Sequence, residues 1–100
     1  MDMENKMIAL KRAVRKELNR MVGHINYNLE YQMAKHDTQH LLVLTINGTT
    51  FKMSFDSYLL TELDFDDLKG YVVQSLPELL RKGRLSLTRR SFEHFYDLDS

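Results

Sequence analysis

The dipeptide Asn47-Gly48 constrains the fold of this chain more than any other feature. It lies between two apolar runs, HLLVLTI and TTFKMSF, and an Asn-Gly pair in that setting indicates a β-hairpin with a type I′ turn. Because a two-residue loop fixes the strand register, Leu44 must face Phe51, and their apolar neighbours must pair in the same way. We therefore expect Leu44 and Phe51 to form a buried cross-strand pair.

A two-stranded hairpin is marginally stable in water, so a third strand is expected. Residues 24–33 alternate apolar and polar side chains with a period of two, which is typical of a half-buried strand. The alternative is that the preceding helix continues through Met33, but glycine readily ends helices, and Gly23 stands at the point where the period changes. We interpret residues 24–33 as the first strand of a three-stranded antiparallel meander, with KHDTQ as its turn.

Helices are expected on both sides of the meander. Before it, Met3, Met7, Leu10, Val14 and Leu18 recur at steps of three and four, as on one face of a helix, and Asp2 is a suitable N-cap.

After the meander, a helix is expected to begin at Asp64. The capping box Ser75-Leu-Pro-Glu78 predicts a second, short helix that ends at Gly83. Thr88 is a candidate cap for a last segment that carries Phe92, Phe95 and Tyr96. The predicted fold class is thus α+β: an N-terminal helix, a three-stranded antiparallel meander, then two to three C-terminal helices, in a single domain of residues 1–100.

Composition excludes several kinds of site. The chain has no cysteine, so disulfides and thiolate chemistry are excluded. It has no apolar run of about 20 residues and no secretory leader, which favours a cytoplasmic protein. No glycine-rich phosphate loop and no nucleophile elbow occurs. We therefore expect no cofactor and no enzymatic activity.

Two groups of possible metal ligands have simpler explanations. His36 and His40 have the spacing of helical zinc ligands, but they fall in a predicted turn and strand, where that spacing loses its geometry. Asp64, Asp66 and Asp67 suit the positive end of a helix dipole. We expect no metal site.

Charge is unevenly distributed although the formal net charge is zero. Residues 1–23 carry six bases and three acids, residues 56–80 carry six acids and one base, and residues 81–90 carry five bases and no acid. Locally clustered charge in a neutral chain points to a partner of complementary charge. The candidate partner-binding residues are Lys11, Arg12, Arg15, Lys16, Arg81, Lys82, Arg84, Arg89 and Arg90.

The predicted order of helix, three strands and helix over residues 3–76 is similar to the topology of double-stranded-RNA-binding domains. Members of that family carry lysines at the start of the second helix. This chain has Asp64, Asp66 and Asp67 there, and these acids would repel RNA. The resemblance therefore concerns topology only.

Two functions fit these observations. The first is a non-enzymatic protein-binding module, a small regulator or inhibitor of the kind that phages and mobile elements encode, acting by occupying a partner's surface. The alternative is a nucleic-acid-binding protein that uses the bases of the first helix and the segment Arg81–Arg90.

A symmetric homodimer is also expected. The first helix carries extra apolar residues, among them Ile8 and Ala13, and the second face of the sheet shows Leu41 and Val43. Exposed apolar patches of this kind often mark interfaces. The competing expectation is a monomer in which the C-terminal segment covers one of these surfaces.

Overall fold

The protein is described by a computed structural model over residues 2–23, 25–33 and 39–97, and this part contains four helices and four strands. In chain order they are α1 (Met3–Val22), β1 (Tyr27–Met33), β2 (His40–Ile46), β3 (Thr49–Phe55), α2 (Ser57–Glu62), α3 (Phe65–Lys82), β4 (Arg84–Leu87) and α4 (Arg89–Asp97). The predicted α+β fold, with an N-terminal helix, a three-stranded antiparallel meander and C-terminal helices, is confirmed.

The hairpin has the predicted register, with Leu44 opposite Phe51 along the β2–β3 pair. Asn47 and Gly48 have φ angles of 51° and 82°, as a type I′ turn requires. The third strand is also confirmed, because β1 pairs antiparallel with β2, although residues 25 and 26 of the predicted strand lie before its start at Tyr27. Residues 34–38, which hold most of the predicted KHDTQ turn and His36, lie outside the described residues.

The expected burial of Phe51 is wrong. Leu44 is buried, but Phe51 is only half-buried. Strand β4 pairs only with Lys52–Phe55, so Phe51 has a neighbouring strand on one side and none on the other within the described sheet. The buried aromatic residue of β3 is instead Phe55.

Strand β4 and helix α2 were not expected from the sequence. Strand β4 lies parallel to β3 at one edge of the sheet, whose order is β1-β2-β3-β4. Helix α2 begins after Asp56, whose side chain accepts a hydrogen bond from the backbone N–H of Tyr58 at 3.2 Å. With these two additional elements, the order of elements departs from the helix, three strands and helix of double-stranded-RNA-binding domains.

The prediction of two helices between Asp64 and Gly83 is wrong, because α3 runs through Pro77 without a break. The proline lacks the N–H that would bond the carbonyl of Val73. The helix nevertheless keeps one buried stripe across this point, formed by Leu68, Val72, Leu76 and Leu79. Tertiary packing of this stripe outweighs the lost hydrogen bond.

The helices cover one face of the sheet. The buried strand residues have side chains on this face, and the apolar ones pack with the buried stripes of α1 and α3 in one core cluster. The opposite face is uncovered by the described residues and carries Leu41 and Val43, which are half-buried. Helix α4 packs instead against α3, where Phe92 and Phe95 contact the ring of Tyr71. Within the described residues, no helix is long and apolar enough to cross a membrane.

Candidate functional site

A groove between α1 and α3 combines apolar residues with several cations. Its cavity volume is about 680 Å³. Ala13, Gly70 and Val73 form its apolar part, and four cationic side chains and one carboxylate complete its lining: Arg12, Lys16, Arg20, Lys69 and Glu17. This set is called the cationic groove below.

The cationic groove follows from the amphipathic pattern of α1. The buried stripe of α1 faces the core through Leu10, Val14 and Leu18. Arg12, Lys16 and Arg20 recur every four residues on an adjacent side of the helix, so they line up along its length. Packing of α1 beside α3 places Lys69 in the same groove.

Two cations of the groove have no partner among the described residues. Arg12 and Lys16 are exposed and make no hydrogen bond or ion pair within the part of the chain that the structure describes. The other two are engaged. Arg20 donates from Nε to Glu17 at 3.1 Å, and this contact lowers the pKa of Glu17. Lys69 lies 3.9 Å from Asp66. The groove therefore carries positive charge that the described residues do not neutralise.

Gly70 leaves the middle of the groove open. It lies in the interior of α3, where glycine is less favourable than alanine by about 0.8–1.0 kcal/mol. A Cβ atom added at this position would meet no atom within 4 Å. Because the packing of the described residues does not require a glycine here, the open space is available to a partner.

The other two predicted residues of α1 lie toward β1. The guanidinium of Arg15 is 5.9 Å from the ring centre of Tyr27, whose hydroxyl donates to Asn19 at 2.6 Å. The pKa of Glu30 is lowered chiefly by hydrogen bonds from its neighbours on β1, and the charge of Lys11 contributes. Lys11 and Arg15 are thus separate from the cationic groove.

The predicted segment Arg81–Arg90 spans the end of α3, strand β4 and the start of α4. Arg81 and Lys82 end α3, and Glu78 pairs with both, at 3.6 Å and 2.9 Å. Its hydrogen bond with Lys82 lowers the pKa of Glu78.

The two arginines of α4 differ from each other. Arg89 pairs with Glu93 at 2.9 Å and lies 4.6 Å from the ring centre of Tyr58. Arg90 is exposed and has no partner among the described residues.

Arg84 lies on the uncovered face of the sheet. It stands directly beside Lys52 in the β3–β4 register, and neither side chain has a carboxylate partner among the described residues. The next pair on the same face is Ser54 and Ser86, whose hydroxyl oxygens are 3.2 Å apart. These four residues line a cleft of about 470 Å³. Adjacent like charges across strands are destabilising, so this pair is a second candidate site for an anion.

Four lysines and arginines of interest were not predicted from the sequence. Arg20, Lys69 and Lys52 belong to the surfaces described above. The signal for Arg20 was present, since it continues the four-residue spacing of Arg12 and Lys16. Lys69 and Lys52 stand alone in the sequence, and only tertiary packing places them beside other bases.

Lys6 is the fourth, and its role is structural. Although it was counted with the N-terminal bases, its side chain is buried. Its ammonium group donates to the carbonyls of Leu60 and Leu63 at 2.6 Å and 3.1 Å. These carbonyls lie at the C-terminal end of α2, where a cation is favourable. Lys6 thus ties α1 to α2.

The possible metal ligands have other environments. His40 is buried, and its Nδ1 is 2.7 Å from the hydroxyl of Tyr31, with the two rings stacked. Asp64 is the N-cap residue of α3 and makes no side-chain cap hydrogen bond. Among the described residues, no group of three potential ligands is placed to hold a metal ion.

Comparison of the chain with protein-family models, curated proteins and solved structures finds no significant match.

Proposed function

We propose that this chain is a non-enzymatic protein-binding module, a small regulator or inhibitor of the kind that phages and mobile elements encode. It acts by holding an acidic surface segment of a partner protein in the cationic groove. Since it has no cysteine, it needs no oxidising compartment, and we place its action in the cytoplasm.

The main observation that supports this proposal is that the groove combines cations with an apolar surface. Arg12 and Lys16 offer cations that have no partner in the described part of the chain. Ala13, Gly70 and Val73 offer an apolar surface between the two helices. Acidic side chains of a partner would pair with the cations, and its small apolar side chains would pack against the apolar surface. A protein segment carries both kinds of group, whereas a phosphate backbone offers only charge. The groove therefore favours a protein partner over a nucleic acid.

The test is affinity capture with a charge-reversed pair and a matched control. Arg12→Glu with Lys16→Glu reverses two cations of the groove, and Lys52→Glu with Arg84→Glu reverses two on the sheet. All four residues are exposed, so circular dichroism should show an unchanged fold. Tagged chains are produced in cells that encode this protein, and the captured proteins are identified by mass spectrometry.

We expect the unchanged chain and the sheet variant to capture the same protein and the groove variant to lose it. The captured protein should carry an acidic segment, and capture should weaken as salt rises. Equal capture by the groove variant would refute the groove as the binding site. If neither the unchanged chain nor either variant captures a protein, the proposed function is wrong.

The alternative, nucleic-acid binding, has one specific observation in its favour. Lys52 and Arg84 stand side by side, and neither has a carboxylate partner in the described part of the chain. Both side chains are therefore available to contact the same phosphate backbone. Duplex oligonucleotide binding at two salt concentrations tests it, because phosphate contacts make affinity fall steeply with salt. Binding that the sheet variant abolishes would support this function, and no binding at low salt would exclude it.

A further inference from the structure

The outer edge of β1 is an unpaired strand edge. β1 is the first strand in the sheet order, so β2 is its partner on one side and no described residue pairs with it on the other. In the hairpin register, β2 uses Leu41, Val43 and Thr45 for its bonds to β1. The residues opposite them, Gln32, Glu30 and Asn28, bond inward, so the peptide groups of Tyr27, Leu29, Tyr31 and Met33 point outward.

This edge lacks the features that usually prevent strand pairing. Exposed edges in natural proteins carry lysine, proline or a bulge, or they are very short. β1 has seven residues, no lysine or proline, and one charge, Glu30. Two large apolar side chains near its ends are exposed, Ile25 by 46% and Met33 by 51%.

The sequence of this edge is complementary to itself in one antiparallel register. If Leu29 faces Leu29 of a second copy, Tyr27 faces Tyr31 and Ile25 faces Met33. On the other face of the sheet, the amide of Asn28 stands opposite the carboxylate of Glu30. Each apolar residue therefore meets an apolar residue, each polar residue meets a polar one, and the two exposed apolar side chains cover each other.

Other symmetric registers are less favourable. Centring the pair on Glu30 places two carboxylates directly opposite each other, which is destabilising. Centring it on Tyr31 pairs Leu29 with Met33 but leaves Ile25 beyond the paired segment and exposed. The outward peptide groups can form hydrogen-bonded pairs in all three registers, so the side chains decide between them.

We infer that the protein forms a symmetric dimer through antiparallel β1–β1 pairing centred on Leu29, which joins two four-stranded sheets into one continuous sheet of eight strands. This surface differs from the apolar residues that suggested a dimer in the sequence, Ile8, Ala13, Leu41 and Val43. It leaves the cationic groove, between α1 and α3, free on both copies. The dimer and the binding of an acidic partner are therefore independent and can fail separately.

The first test measures mass over a concentration series. Light scattering should give a mass that rises from 11.9 kDa toward twice that value as the concentration rises from about 10 µM to about 1 mM, because edge pairing buries a modest area. Ile25→Lys with Met33→Lys places the usual protective residue at both ends of the edge. This variant should stay monomeric over the series.

Thr50→Lys is the matched control, since it adds a lysine to an exposed position on β3, away from the β1 edge. The control should associate like the unchanged chain, and all three proteins should have the same circular dichroism. If the unchanged chain has the mass of a monomer at every concentration, the inference is wrong. A dimer that persists in the Ile25→Lys, Met33→Lys variant would also overturn it, since another surface would then hold the copies together.

Disulfide cross-linking identifies the register. The chain has no cysteine, so an introduced one is the only thiol. Asn28 and Glu30 form a non-hydrogen-bonded pair in the Leu29-centred register, with Cα atoms about 4.5 Å apart, which suits a disulfide. Mixing Asn28→Cys with Glu30→Cys chains and oxidising them should give mainly the mixed dimer, recognised by its mass.

Two other cross-linking reactions report the competing registers. Glu30→Cys alone would cross-link efficiently if the pair were centred on Glu30, and Glu30→Cys mixed with Gln32→Cys would do so if it were centred on Tyr31. Efficient cross-linking in either of these reactions would overturn the Leu29-centred register, as would the absence of a mixed dimer of the Asn28→Cys and Glu30→Cys chains.

Discussion

Gly70 allows a direct test of the cationic groove, because replacing it with alanine should make the protein more stable. In a helix interior, alanine is more favourable than glycine by about 0.8–1.0 kcal/mol. The added Cβ at this position of α3 meets no atom within 4 Å, so it introduces neither a clash nor a packing gain. The expected increase in the free energy of unfolding is therefore the propensity difference itself, about 0.8–1.0 kcal/mol.

Thermal and urea unfolding followed by circular dichroism measure this change. For a domain of this size, about 1 kcal/mol raises the Tm by roughly 4–8 °C. Gly83→Ala is the matched control, because Gly83 has a φ of +82° at the end of α3. A left-handed conformation costs alanine about 1–2 kcal/mol, so this substitution should lower the Tm.

The two substitutions should thus change stability in opposite directions. If Gly70→Ala lowers the Tm while Gly83→Ala behaves as expected, the side of α3 at Gly70 is not open, and the groove cannot admit a partner there. A larger residue extends the test: Gly70→Leu should fold at least as stably as the unchanged chain but fill the groove and prevent capture of the partner. Normal capture by Gly70→Leu would show that the partner does not enter the groove.

Three further predictions concern the core and its polar contacts. Phe55→Ala should cost about 3–5 kcal/mol in urea unfolding, as for a fully buried aromatic residue, and Phe51→Ala should cost clearly less; equal losses would contradict their different burial. Lys6→Met keeps the apolar stem but removes the ammonium group from the carbonyl of Leu60, and should cost about 1–3 kcal/mol; unchanged stability would show that this contact is not formed. Burial raises the pKa of Tyr71 above its usual value, so the native state holds this proton more tightly, and stability present below about pH 10 should be lost as the pH rises through the raised pKa. Urea unfolding at pH 9 and pH 11 should show a steeper loss for the unchanged chain than for Tyr71→Phe, and parallel losses would contradict the assigned shift.

The sequence by itself determined the features that depend on residues close together in the chain. The β2–β3 register follows from Asn47-Gly48, because a two-residue turn allows only one pairing. The end of α1 before Gly23 follows from the change of apolar period. Thr88 also caps α4 as expected, accepting a hydrogen bond from the backbone N–H of Ser91 at 3.1 Å. The side chain of Tyr96, which was predicted to lie on this last segment with Phe92 and Phe95, is outside the described part of α4.

Only the tertiary structure decided the features that depend on distant contacts. β4 is too short to be recognised from its own pattern, and it becomes a strand because β3 supplies its hydrogen bonds after a crossover through α2 and α3. Pro77 marks a helix start by local rules, yet the buried stripe on both sides of it keeps α3 continuous. The cationic groove has the same origin: the sequence shows the spacing of Arg12 and Lys16, but the positions of Lys69 and Gly70 beside them are set by the packing of α1 against α3. Local propensities differ by about 1 kcal/mol per residue. The burial of an apolar stripe shared by two elements contributes several times that free energy, so tertiary packing prevails where it conflicts with local propensity.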